Sequence, residues 1–194
     1  TLPSAPLAAA CTGRHPASLV STTRRIRWPV AGHALALTIG VYAAATAGAA
    51  LWARVSGEST PLNETRSVAF VCALCAVITL QSAAEELVFR AALPQIIGSG
   101  AFGRWCAHPA IAYGLPALAF VALHTGGTGT IVDVAVFAAC AAWLTWRTDG
   151  IEAAWVLHLV GNVWVMGASI SSAPLGTVAT VVSAALIAAF NPRR

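Results

Sequence analysis

Long apolar runs broken by short polar intervals organise this 194-residue chain. Runs near or above about 18 residues can cross a bilayer core as helices. They fall at residues 29–52, 67–89, 109–126, 131–146, 151–168 and 174–190. The intervals carry turn residues, namely Gly57, Pro61, Thr125-Gly126-Gly127, Asp149-Gly150 and residues 171–174. After the second run, residues 90–98 read as an amphipathic continuation, ended by Gly98-Ser99-Gly100. Residues 1–23 are rich in Pro, Ser, Thr and Ala without a sustained period, so the pattern predicts a flexible cytosolic tail ahead of a membrane domain over 24–194. The first long apolar run follows an Arg cluster and is too long for the core of a signal peptide.

Composition sharpens the picture. The chain is 58% apolar and 9% charged, with a mean hydropathy of +0.75. Too little polar surface exists to coat a water-soluble globule of this size. The expected fold is therefore all-α, a multispanning bundle of about six transmembrane helices with lipid as its main solvent. An even number of spans puts both termini on one side. Arg24, Arg25, Arg27, Arg104, Arg147, Arg193 and Arg194 then share that side and only Arg54 and Arg66 lie opposite, which makes the Arg-rich side, and both termini, cytoplasmic. All basic residues are Arg and they flank apolar runs instead of forming a stripe, so nucleic acid is not an expected partner. Trp28, Trp52, Trp105, Trp143, Trp146, Trp155 and Trp164 fall near span ends, as an aromatic belt requires. Cys11, Cys72, Cys75, Cys106 and Cys140 fit no disulfide or zinc-ribbon framework. A cell membrane, multi-pass location follows, and the all-Arg, Ala-rich composition points to a GC-rich bacterium.

Against that background the second run holds Gln81-Ser82-Ala83-Ala84-Glu85-Glu86-Leu87-Val88-Phe89-Arg90. One ionised residue near the bilayer centre costs about 2.5–3.5 kcal/mol, whereas each Leu or Val returns only about 0.3–0.6. Intramembrane ionisable groups mark functional sites by default; the bland reading is a helix end that meets water. Glu86 and Arg90 are four apart with the acid N-terminal, the favourable order for an intrahelical ion pair. Glu85, about 100° round the helix, is then free to act as a base. His124 closes Phe120-Val121-Ala122-Leu123-His124 near the end of the third run. His158 and Asn162 lie one turn apart in the fifth.

At these residues the chain resembles a known family. EELVFR fits E-E-x-x-x-R, FVALH fits F-x-x-x-H and HLVGN fits H-x-x-x-N, in the order that marks the CPBP intramembrane proteases, also called the Abi or CAAX-protease-like family. The resemblance covers roughly residues 66–168. Ala91 stands where many members have Gly, and Asp149-Gly150 departs from the family's T-G-S-[IL] approach to the last motif.

Peptide hydrolysis needs an activated water, a stabilised oxyanion and a proton for the leaving amine. Low-dielectric surroundings make a carboxylate more basic, which suits Glu85 as general base with His124 holding the water. His158 and Asn162 could face the tetrahedral oxygen, each donor being worth about 2.7–4 kcal/mol. The resemblance implies the same division of labour, with Glu86 in the catalytic group, Arg90 as its structural partner, and isoprenylated C-terminal tails as one substrate class. Leader or immunity-type peptides are the other. No cofactor is required on this reading. Its alternative is a zinc ion on Glu85, His124 and His158, although no H-E-x-x-H occurs. Rivals from other classes are a transporter using the polar cluster and an inactive membrane scaffold.

One piece of arithmetic opposes the assembly. Rise per residue, counted from the span starts, separates Glu85 and His124 by about 19 Å in depth. The site requires that gap to close. Of the remaining polar residues, Asp133 and Glu152 read as acids at helix N-termini. His33 reads as packed, and His15 and His108 as members of polar connections. Gly161 is expected to let another backbone approach, and Asn63-Glu64-Thr65 fits a glycosylation triplet without an assigned role.

Overall fold

The computed structural model describes residues 15–57, 67–99, 102–167 and 173–191. The Pro61 turn, the Asn63 triplet, Cys11, Arg66, Arg193, Arg194 and the first fourteen residues of the expected tail lie outside them.

Among the described residues six helices form the bundle: α1 (Trp28–Ser56), α2 (Val68–Ile97), α3 (Pro109–Ala122), α4 (Thr128–Thr148), α5 (Glu152–Gly167) and α6 (Ala173–Phe190). Each expected apolar run holds one of them. The all-α fold class is correct, and no named strand occurs among the described residues. α1, α2 and α4 are long and apolar enough to cross a membrane, whereas α3 and α6 are shorter apolar helices. Large apolar side chains such as Leu51, Val68, Leu118 and Val165 point outward. In water that surface would be untenable; in lipid it is the expected exterior. The chain is a multi-pass membrane protein.

Local chemistry sets the helix ends. Gly57, at φ 73°, closes α1 with its amide on Ala53 O. The Ser67 hydroxyl accepts from Phe70 N at 3.2 Å and opens α2. α4 ends at Asp149 in the left-handed region, φ 56° and ψ 34°. Asp tolerates that conformation better than most residues, which accounts for an acid where the resembling family has Gly.

α5 is the central helix and packs against α1, α2, α4 and α6. Their shared core is built of small and aliphatic residues, with Ala31 and Ala34 of α1, Leu144 of α4, Ala153 and Leu157 of α5, and Ile187 of α6 fully or nearly buried. Small residues let helices approach closely, and in lipid that contact replaces the hydrophobic drive. Polar pairs lock the helices together. Tyr42 Oη and Thr180 Oγ1 lie 2.8 Å apart, Trp164 Nε1 donates to Thr46 Oγ1 at 3.0 Å, and Trp155 Nε1 donates to Thr79 O at 3.3 Å. Trp155 and Trp164 therefore join helices, while Trp28, Trp52 and Trp105 are exposed.

Several minor expectations change. α4 begins at Thr128, so Asp133 lies beyond the first turn and receives a hydrogen bond from Thr177 of α6. His33 is exposed on α1, not packed. At Gly161 an added Cβ would meet Tyr42 Oη at 3.4 Å, ordinary contact, so close approach is not what that glycine provides.

The stretch expected to end the flexible tail, residues 15–23, has defined structure. A 3-10 turn over Pro16–Leu19 buries Leu19, and Ser21 bridges to Gly150 in an antiparallel ladder. Thr22 N donates to Asp149 O at 3.1 Å and Ile151 N to Val20 O at 2.9 Å. This strap crosses the α4–α5 turn and is pinned by Arg27. Its Nε and Nη2 grip the two oxygens of Glu152 at 2.9 and 2.7 Å, while Nη1 reaches Thr148 O at 2.5 Å. The hydrogen bonds to Glu152, with its charge, hold the Arg27 pKa above its ordinary value. Glu152 does open α5 as an N-terminal acid should, and it is also the buried half of this clamp. Gly150 has no room for a side chain, since a Cβ there would lie 2.2 Å from Arg27 Nη2 and 2.3 Å from Glu152 Oε2.

Candidate active site

The motif of α2 is not plain α-helix. Residues Leu87–Ala92 form a π-helical turn, in which the Leu93 amide reaches back to Val88 O. Pro94 follows and lacks the amide that regular helix would need. π-turns widen a helix and re-aim side chains, and they concentrate at functional sites. Here the turn buries Arg90 while Glu86, just before it, is also fully buried.

Glu86 is the hub. One oxygen, Oε1, lies 2.8 Å from His158 Nδ1; the other, Oε2, lies 3.4 Å from Arg90 Nε. The expected Glu86–Arg90 pair is present, and the contact from α2 to α5 adds a partner that helix spacing did not reveal. A carboxylate only accepts, so Nδ1 of His158 carries the proton in this bond. The imidazole is thereby fixed in orientation, and its Nε2 faces Glu85 Oε2 at 3.6 Å. Glu85 is a quarter exposed, and its Oε1 accepts from Gln81 Nε2 at 3.0 Å. His158 thus stands between two carboxylates, one buried and one open.

Phe120 supplies the floor. Arg90 Cζ lies 4.2 Å from the Phe120 ring centre and 5.3 Å from that of Phe137, contacts that favour a cation. The Phe120 ring is also 4.4 Å from the His124 ring and 6.0 Å from the His158 ring, while Phe137 approaches His158 to 4.6 Å. His124 therefore joins the cluster through Phe120. The 19 Å depth gap computed from rise alone is a miscount. At about 1.5 Å per residue, α2 is longer than a bilayer core and α3 shorter than one, so distance from a helix start does not give height. His124 Nδ1 lies 2.7 Å from the carbonyl oxygen of Phe120, which requires a proton on Nδ1. Asn162, one turn beyond His158 on α5, is half-buried.

Two participants escaped sequence reasoning. Phe137 lies in a uniformly apolar run, and nothing in the pattern distinguishes it. Gln81 stands four residues before Glu85, a helical spacing that could have found it.

His124 and His158 have committed Nδ1 to Phe120 O and to Glu86. Among the described residues no group of three or more His, Cys, Asp or Glu is placed to hold a metal. The Nδ1 bonds leave Nε2 of both histidines open to a ligand, the way metal-held histidines are commonly oriented.

A family model described as type II CAAX prenyl endopeptidase Rce1-like matches residues 67–164, half of the chain. The match runs from the start of α2 into α5 and contains Glu85, Glu86, Arg90, His124, His158 and Asn162. Neither a curated protein nor a solved structure gives a significant match.

Proposed function

The chain belongs to the Rce1-like family of type II CAAX prenyl endopeptidases, and on that premise we propose that it hydrolyses peptide bonds of membrane-associated peptides or protein C-terminal tails. The observation that carries this reading is His158 held between Glu86 at 2.8 Å and Glu85 at 3.6 Å, inside an otherwise apolar bundle. Glu85 is the open carboxylate and takes the proton of the attacking water. His124 orients that water through Nε2. As the tetrahedral oxygen gains charge, His158, carrying a second proton on Nε2 throughout with Glu86 balancing the imidazolium, donates from that atom, and Asn162 adds a second donor. Glu85 returns its proton to the leaving amine. Arg90 compensates Glu86 and stays outside the reaction.

No step in this scheme needs a metal. The Arg-rich end of the bundle, where strap and α4–α5 turn meet, faces the cytoplasm, and both termini share that side. Isoprenylated tails are the substrate class the family name suggests; leader-type membrane peptides fit the same chemistry.

The test is cleavage of lipid-anchored peptides by the purified protein in liposomes, with products read by mass spectrometry. Wild type should release a C-terminal fragment, and Glu85→Gln and His158→Ala should lose at least about 100-fold in rate. Equal cleavage by the variants removes the enzyme reading, and ion flux lost in the same variants replaces it with a transporter.

A further inference from the structure

Beneath the strap lies a cavity of about 490 Å³. Ser18 and Arg24 of the strap, Arg90 and Gln95 of α2, Thr145 of α4 and Asp149 of the α4–α5 turn contribute to its wall. Three features of that wall ask for an acceptor. Arg90 is 1% exposed, yet its Nε, Nη1 and Nη2 have no hydrogen-bond partner among the described residues. Its counter-charge on Glu86 stands off at 3.4 Å, and aromatic rings balance a guanidinium only in part. The Ser18 hydroxyl is likewise buried without a partner, although its carbonyl is fixed by Gln95 Nε2 at 2.9 Å. Arg24 adds an exposed cation, on a backbone held at φ 56°.

Buried donors left unmatched are costly, and most costly when charged. Residues 1–14 carry no Asp or Glu side chain. Asp149 lines the same cavity, and its charge acts on Arg27 of the clamp. A guanidinium fork flanked by a hydroxyl and a second cation matches a carboxylate in shape and charge.

We infer that the cavity under the strap binds an oxyanion, the C-terminal carboxylate of the peptide to be cut, with Arg90, Ser18 and Arg24 as its donors. The inference rests on the peptidase reading above and deepens it. Arg90 contacts Glu86, and Glu86 holds His158, so an acid anchored on Arg90 is linked to the catalytic imidazole through two side chains. A phosphate, from a lipid headgroup or from solution, shares the chemistry and is separated from a peptide acid by the experiment.

The full-length Glu85→Gln protein, in phosphatidylcholine nanodiscs, is titrated with one lipid-anchored peptide bearing either a C-terminal acid or a C-terminal amide. Wild type is titrated with the two corresponding C-terminal fragments, which need no turnover. The acid should bind about tenfold tighter than the amide, as a charge-assisted contact implies. Arg24→Gln, at an exposed position, and Ser18→Ala should each shrink that ratio, to about threefold or less. Equal binding of acid and amide overturns the site. Loss of the acid's advantage in nanodiscs of anionic lipid, or in millimolar inorganic phosphate, overturns the peptide assignment in favour of phosphate. Cleavage by wild type is scored separately. Turnover with equal binding leaves a peptidase without this site, and acid preference without turnover leaves a site without the peptidase.

Discussion

Breaking the clamp between Arg27 and Glu152 should have an asymmetric cost. Glu152 is 1% exposed and Arg27 is 20% exposed. In Arg27→Ala the Glu152 carboxylate loses its bonds to Nε and Nη2 and keeps only the Arg27 backbone amide at 2.9 Å. Stranding a buried charge costs about 3–5 kcal/mol. The surviving amide and the positive end of α5 soften that, so about 3 kcal/mol is expected. In Glu152→Ala the guanidinium can swing into water, and the loss is about 1–2 kcal/mol of hydrogen bonding. The double variant leaves no stranded charge and should be more stable than Arg27→Ala alone. Reversible unfolding in mixed micelles, followed through Trp fluorescence, gives the three values. The reasoning is refuted if Glu152→Ala costs as much as Arg27→Ala, or if the double variant costs the sum of the singles.

The same titration tests two further contrasts. Gly150→Ala drives a Cβ into both clamp residues, at 2.2 and 2.3 Å, and should cost about as much as Arg27→Ala. Gly161→Ala meets Tyr42 at 3.4 Å and should stay within about 1 kcal/mol of wild type. Glu86→Gln leaves Arg90 buried without a counter-charge and should destabilise by about 3–5 kcal/mol. Glu85→Gln, a quarter exposed, should cost under about 1 kcal/mol, since such surface changes are mild. Exhaustive chelation should leave peptide cleavage intact, and a loss restored by zinc would overturn the metal-free scheme.

How much of this was legible in the sequence follows from the range of each interaction. Helices read well because lipid forces backbone hydrogen bonding inside each segment, and an apolar run reports on its own residues alone. Glu85, Glu86, Arg90, His124, His158 and Asn162 stood out because charge in such a run is expensive. The Glu86–His158 bond did not, since its partners are 72 residues apart and nothing local to α2 announces α5. The strap was misread for the same reason: its order comes from Gly150 and from Glu152, 125 residues beyond Arg27. The π-turn left no mark on spacing, since the Glu86–Arg90 pair expected of an α-helix still forms. Depth was misjudged because helix length does not equal membrane crossing in α2 or α3.

The central claim is that Glu85 activates water and does not itself attack the peptide. A single turnover in ¹⁸O-labelled water, with protein in excess over peptide, tests it directly. Direct attack by water places ¹⁸O in the new carboxylate of the product in that first turnover, with Glu85 unlabelled. An unlabelled product together with ¹⁸O on the Glu85 side chain would show an acyl-enzyme instead and contradict the account.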